Sequence, residues 1–126
     1  MNLLLVEFNG PNPGRTLNMD PNSVISIGRD PEQTLSIDDQ LCSRQHARIW
    51  FEDGHWYIED CRSRNGTYLN SQPIERGILS LGDLIRVGER ILFFVEKTPS
   101  GSNGLQPGKL ATNPFVVRVR DPEDWL

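Results

Sequence analysis

The sequence predicts an all-β protein, an antiparallel β-sandwich, from three observations. Apolar residues recur in short, often alternating runs, and helical periodicity is almost absent. Clusters of Gly, Pro, Asn, Asp and Ser separate these runs at short intervals. No long crossover segment lies between the runs, so neighbouring strands are expected to pair in antiparallel fashion.

The predicted strands follow one another along the chain, and most are bounded by a turn signal. The first strands end at NGPNPG, DPN and RDPEQ, and the later ones are separated by EDG, RNG, NSQP, LGD and VGE. In order, the predicted strands are Asn2–Phe8, Arg15–Leu17, Val24–Ile27, Thr34–Ile37, His46–Phe51, Trp56–Asp60, Thr67–Leu69, Leu84–Val87 and Ile91–Glu96.

The clearest hairpin is HARIWFEDGHWYIED. Ala47, Ile49 and Phe51 alternate with polar or amphipathic neighbours, as in a strand with one face toward a core. The letters EDG supply the turn. Trp50 and Trp56 are interpreted as core or sheet-face residues, not as platforms for stacking nucleic-acid bases.

The chain divides into a domain at residues 1–97 and a C-terminal tail at residues 98–126. The tail opens with TPSGSNGLQPGKLATNP, a composition typical of a linker. It continues with FVVRVR, which can add a strand to a sheet edge of this copy or of another copy. A tail without structural role is the alternative, and the sequence leaves both open.

Composition excludes several classes of function. The formal net charge is −4, which disfavours nucleic-acid binding, and no run of about 20 apolar residues could span a membrane. MNLLLVEFNG lacks the basic start of a signal peptide, so a cytoplasmic protein is expected. Cys42 and Cys61 form neither a CxxC nor a zinc pattern, and no metal or cofactor is expected.

Arginines concentrate in loops that the predicted topology brings together. Arginine outnumbers lysine 11 to 2. Gly28-Arg29 ends one strand, while Ser43-Arg44 and the run from Arg62 to Gly66 flank the hairpin at the same end. Several guanidinium groups, a hydroxyl and an amide at one end of a sandwich would form a small anion site.

The fragments IGRD, CSRQHA and NGTYLN, followed by LGDLIRVG, resemble the forkhead-associated (FHA) domain over residues Val24 to Glu96. The resemblance implies a β-sandwich that binds phosphothreonine-containing peptides of Ser/Thr kinase substrates without catalysis. It implies phosphate-binding roles for Arg29, Ser43 and Arg44, peptide-binding roles for Arg64 and Asn65, and structural roles for Gly28, His46, Gly66 and Thr67.

Elementary chemistry agrees with these roles. A phosphate near pH 7 carries about −1.5 to −2 charges and three acceptor oxygens, which two guanidinium groups and a hydroxyl can meet. An asparagine amide both donates and accepts, as contact with a peptide backbone requires.

Two other functions stay open at this stage. A hydrolase could use Cys42, Ser43 and His46, although no carboxylate is obviously placed to orient the imidazole. A phosphate-independent assembly module on the same fold is the other alternative.

Overall fold

The computed structural model describes residues 3–97 and 115–116, which form two β-sheets enclosing one core. Strands are numbered in chain order: β1 Leu3–Glu7, β2 Thr16–Asn18, β3 Ile25–Gly28, β4 Leu35–Ser36, β5 Ala47–Glu52, β6 His55–Asp60, β7 Thr67–Leu69, β8 Gln72–Ile74, β9 Arg76–Leu79, β10 Leu84–Val87, β11 Arg90–Lys97 and β12 Phe115–Val116. Sheet A has the order β2-β1-β11-β10-β7-β8, with β12 also beside β11, and sheet B has the order β4-β3-β5-β6-β9. The predicted all-β sandwich is confirmed.

Alternation along the strands creates the core. In β5, Ala47 and Ile49 point inward and are buried, whereas Arg48 is exposed. Ile49 lies opposite the buried Ile58 of β6. Residues of both sheets join in a single apolar cluster, so each sheet covers the inner face of the other.

The β5–β6 hairpin closes through a two-residue turn. Asp53 and Gly54 have φ values of 51° and 82°, the positive angles of a type I′ turn. The far end of the hairpin, where Ala47 pairs with Asp60, leads directly into the loops that carry the predicted site.

The two tryptophans of the hairpin lie on opposite faces of sheet B. Trp56 is buried in the core, as predicted for a core residue. Trp50 lies on the outer face, stacked on Tyr57 with ring centroids 5.5 Å apart. The Arg76 guanidinium lies 5.2 Å from the centroid of each of these two rings. Trp50 therefore belongs to an intramolecular aromatic and cationic stack on this face.

The structure contains two strands that the sequence did not predict, Gln72–Ile74 and Arg76–Leu79. The NSQP segment does not form one turn: Asn70 and Ser71 turn with φ values of 51° and 73°, and Gln72–Ile74 then pairs with β7. Arg76–Leu79 pairs with β6 as an edge strand.

The β3–β4 pairing is parallel, so the sandwich is mostly rather than wholly antiparallel.

A charged cluster was not predicted. Glu7 of β1 is buried and pairs with Arg15 and with the buried Arg90 of β11. Buried ionised groups require such partners because desolvation of an isolated charge is costly. These contacts connect β1 to the residue before β2 and to the first residue of β11.

The tail enters the described structure at β12. Val116 pairs with Glu96 and Phe115 pairs with Lys97. The remainder of the FVVRVR prediction and the self-association of the tail lie outside the described residues. Within the described part of the chain, no helix is long and apolar enough to cross a membrane.

Candidate functional site

The site begins where β3 ends. The Arg29 amide donates to the Ser43 carbonyl at 2.9 Å, and the Asp30 amide donates to the Arg44 carbonyl at 3.3 Å. A Cβ atom on Gly28 would lie 2.0 Å from the Arg44 carbonyl oxygen. Only glycine allows this close backbone approach, which sets the spacing between the loop after β3 and the loop before β5.

His46 fixes the loops on both sides of the hairpin. The imidazole is buried, and the Ser43 amide donates to its Nδ1 at 3.0 Å. Nδ1 is therefore the acceptor nitrogen, so Nε2 carries the proton and donates to the Gly66 carbonyl at 2.8 Å. One neutral ring thus holds Ser43 and Gly66 at a set separation.

Three guanidinium-bearing side chains surround an open pocket of about 250 Å³. Its lining residues are Arg29, Gln40, Leu41, Cys42, Ser43, Arg44, Arg64 and Asn65. The lining contains no carboxylate, and none of its three arginines forms an ion pair with the described residues. Uncompensated positive charge in a concave surface favours an anion.

The hydrogen bonds of the pocket leave donors directed at a ligand. Arg29 Nε donates to the Cys42 carbonyl at 3.1 Å, which orients the guanidinium and leaves its terminal nitrogens without a hydrogen bond or ion pair to the described residues. Ser43 Oγ accepts from the Arg64 amide at 2.9 Å. Since the described residues offer the Ser43 hydroxyl proton no acceptor, it is available to a bound anion.

Asn65 lies beside the cationic part of the pocket. Its Nδ2 donates to the Leu41 carbonyl at 2.9 Å, which holds the side chain across the gap between the two loops. The second Nδ2 proton and Oδ1 make no hydrogen bond to the described residues. They form a donor and acceptor pair suited to a peptide backbone.

Comparison with known proteins identifies the family. A model of the FHA domain matches residues 25–88, which include the glycine, arginine, serine, histidine and asparagine of the site. The chain belongs to the FHA domain family. The sequence resemblance is therefore confirmed.

Curated relatives of this FHA protein include two named regulators. The glycogen accumulation regulator GarA of Mycolicibacterium smegmatis is 36% identical over 101 residues, covering 80% of this chain and 63% of the relative. The oxoglutarate dehydrogenase inhibitor of Corynebacterium diphtheriae is 38% identical over 93 residues, covering 74% of this chain and 64% of the relative. The chain thus spans less than two thirds of the length of these relatives.

Solved FHA structures share the fold. One, described as a structural and functional analysis of phosphothreonine-dependent FHA domain interactions, superposes with a TM-score of 0.69 at 27% identity. The match covers 79% of this chain and 100% of that chain.

Sequence reasoning missed the residue that shapes the loop after β6. Asp60, at the end of β6, accepts from the Ser63 amide and hydroxyl and from Thr67 Oγ1 at 2.7 Å. Ser63 Oγ in turn accepts from the Gly66 amide at 2.9 Å. Burial opposes ionisation of Asp60, but the hydrogen bonds from Ser63 and Thr67 outweigh it and lower the pKa of Asp60.

The spacing of Asp60 and Ser63 is a signal that could have revealed this contact, because aspartate side chains commonly bond backbone amides shortly after them in turns. The loop also contains Arg62, whose role the sequence did not settle. Arg62 has a φ of 60° and lines a different cavity with Glu59, Asp60, Glu75 and Arg76.

The geometry disfavours the hydrolase alternative. Burial raises the pKa of the Cys42 thiol to about 11, which leaves almost no thiolate near pH 7. Both ring nitrogens of His46 are engaged by backbone groups, so the imidazole is not positioned as a base for Ser43. No group of three or more His, Cys, Asp or Glu side chains in the described residues could hold a metal ion.

Proposed function

We propose that this FHA protein is a non-catalytic reader of phosphothreonine-containing protein segments. The observation that carries the proposal is the pocket itself: three arginines without ion-pair partners among the described residues, a serine with an available proton, and an adjacent asparagine. This set matches the charge and the acceptor number of a phosphate monoester with a backbone beside it.

Arg29, Ser43 and Arg44 act on the phosphate. Arg29 is held by its Nε bond to the Cys42 carbonyl and presents the rest of its planar fork. Arg44 adds a second positive charge, and the Ser43 hydroxyl donates to one oxygen. Charge-assisted bonds of this kind are about twice as strong as neutral ones.

Asn65 and Arg64 act on the peptide around the phosphothreonine. The anchored Asn65 amide offers one donor and one acceptor to the ligand backbone, in register with the phosphate. Arg64 lines the same pocket and directly precedes Asn65, so we assign it to the residues flanking the phosphothreonine. Gly28, His46, Gly66 and Thr67 hold the loops and do not contact the ligand.

The regulator names of the relatives favour a signalling role, in which phosphorylation of a partner by a Ser/Thr kinase creates the binding site. Because the chain covers 63% and 64% of those proteins, the proposed role is limited to binding a phosphorylated partner. The proposed setting is the cytoplasm, where such kinase substrates occur.

The deciding experiment is calorimetric titration with one peptide in phosphorylated and unphosphorylated forms, using the parent chain and two variants. Arg29→Ala should weaken phosphopeptide binding by roughly 30-fold or more, since truncating one partner of a desolvated charge pair costs about 2–5 kcal/mol. Arg62→Ala is the matched control: it removes an arginine from the adjacent loop that does not line the pocket.

We expect the control to bind within about twofold of the parent, because a solvated charge outside the pocket contributes about 0–1 kcal/mol. Equal affinity of the parent for both peptide forms would contradict phosphate recognition and favour the assembly-module alternative. Equal losses in the two variants would show that overall charge, not the pocket, determines binding.

A further inference from the structure

Asp39, in the loop between β4 and β5, binds backbone amides from two different loops. The Leu41 amide donates to its Oδ1 at 2.9 Å, and the Glu89 amide donates to its Oδ2 at 2.8 Å. The Asp39 carbonyl also accepts from the Cys42 amide at 2.9 Å. One residue thus closes the turn at residues 39–42 and connects it to the turn between β10 and β11.

The turn that Asp39 closes supplies the carbonyls that orient two ligand-binding side chains. The Leu41 carbonyl accepts from Asn65 Nδ2 at 2.9 Å, and the Cys42 carbonyl accepts from Arg29 Nε at 3.1 Å. Leu41 and Cys42 are therefore held by Asp39 through their amides and hold Asn65 and Arg29 through their carbonyls. Binding groups keep a productive geometry only when such supporting contacts fix them.

The turn between β10 and β11 is itself fixed in place. Asn9 Nδ2 donates to the Glu89 carbonyl at 2.9 Å, and Asn9 Oδ1 accepts from the Ile91 amide at 3.0 Å. A Cβ atom on Gly88 would lie 3.0 Å from Asp39 Oδ2, so the turn packs directly against the carboxylate. The turn can therefore act as a firm support for the loop that contains Asp39.

The support depends on an ionised carboxylate. Burial opposes ionisation of Asp39, but the bonds from the Glu89 and Leu41 amides outweigh it and lower the pKa of Asp39. Each carboxylate oxygen accepts one of these two amides, whereas an asparagine would present an NH₂ group to one of them. Neither Asp39 nor Glu89 lines the phosphate pocket, so an effect on binding must pass through the loop.

We propose that Asp39 is a positioning residue for phosphopeptide binding, because it couples the β10–β11 turn to the loop that orients Arg29 and Asn65. The effect on affinity rests on the proposed function. The orientation of the two side chains can be measured without a ligand, so the two proposals can fail separately.

The first test compares Asp39→Asn with the parent in the full chain without ligand. In ¹H–¹⁵N spectra, we expect the side-chain amide resonances of Asn65 and the Nε–H resonance of Arg29 to shift. Asp20→Asn is the matched control: Asp20 also binds an amide and a hydroxyl in a turn, but this turn precedes β3, whereas Arg29 follows it. The control should leave both sets of resonances in place.

The second test is calorimetric titration with a phosphothreonine peptide, at a temperature at which circular dichroism shows each variant to be folded. Asp39→Asn should weaken binding by about fivefold, the factor that corresponds to one ordinary hydrogen bond. Asp20→Asn should bind as the parent does. In a double-mutant cycle, the loss from Asp39→Asn should be clearly smaller when Asn65→Ala is already present, because part of its effect passes through Asn65.

Asn9→Ala is a second variant, which loosens the Glu89 turn without altering Asp39. It should shift the same resonances and weaken binding by a smaller factor, and it replaces Asp39→Asn if that variant does not fold.

Unshifted resonances of Arg29 and Asn65, or shifted resonances with parent-like affinity, would overturn the positioning role. Fully additive losses in the cycle would exclude the route through Asn65 and overturn it as well. A parent that binds phosphorylated and unphosphorylated peptides equally would refute the proposed function instead, and the resonances alone would then decide whether Asp39 orients the two side chains.

Discussion

Replacement of His46 by alanine tests whether one buried ring holds the ligand loops. The imidazole is 0% exposed and joins the Ser43 amide to the Gly66 carbonyl by bonds of 3.0 and 2.8 Å. Alanine leaves both backbone groups without their partner, at about 1–3 kcal/mol for each group. The two groups together would cost about 2–6 kcal/mol. Because both bonds are only part-buried, we expect a loss of about 2–4 kcal/mol in the free energy of unfolding.

The loss is large relative to the whole, since domains of this size are stable by about 5–15 kcal/mol. Urea unfolding followed by tryptophan fluorescence measures the free energy of unfolding. In a separate thermal unfolding experiment, the Tm should fall by at least about 8 °C. His55 is the one other histidine in the chain and is exposed, so His55→Ala is the control. If His46→Ala were as stable as His55→Ala, the structural role of His46 would be wrong.

Three further predictions concern the loops and the ligand. Asp60→Asn should cost roughly 1.5–3 kcal/mol at pH 7, because bonds from Ser63 and Thr67 to a charged acceptor are lost. The folded pKa of Asp60 is lowered, so its stabilisation is present above pH 4 or so and fades as pH falls through the folded pKa. Urea titrations across that range should show the gap between variant and parent closing; a constant gap would contradict this assignment. Gly28→Ala should lower stability by about 1–3 kcal/mol and weaken phosphopeptide binding, because the new Cβ displaces the Arg44 carbonyl; unaltered affinity would show that loop spacing is not critical. A phosphoserine peptide should bind at least about tenfold more weakly than its phosphothreonine counterpart, since a fitted methyl contributes about 1–3 kcal/mol, and equal dissociation constants would exclude a methyl pocket.

Sequence reasoning located most strands, including the edge strands β2 and β4, and missed the edge strands β8 and β9. Gln72–Ile74 contains Pro73, and Arg76–Leu79 contains Gly77, two residues that normally argue against a strand. Both strands are the last in their sheets, where a missing amide or a missing side chain is tolerated. Each of these strands forms by pairing with an adjacent strand, β7 or β6, and the local sequence does not show that pairing.

The site was predictable in outline because hairpin topology alone brings Ser43 and Asn65 to one end of the sandwich. The contacts that orient these residues were not predictable. Asn65 is anchored by the Leu41 carbonyl, and the loop after β6 is shaped by the bond from the Ser63 amide to the Asp60 carboxylate. Both contacts involve a backbone group whose position the local sequence does not specify. Glu7 and Arg90 are 83 positions apart, and nothing in either local sequence announces their burial together.

The turn at Asp53 and Gly54 is a suitable site for inserting a label or a tag. It closes the β5–β6 hairpin at the end opposite the pocket, about 20 Å away along six-residue strands. Both turn residues are exposed. A fluorophore, affinity tag or short peptide inserted there would report on, or immobilise, the domain while its ligand-binding end stays open to solution.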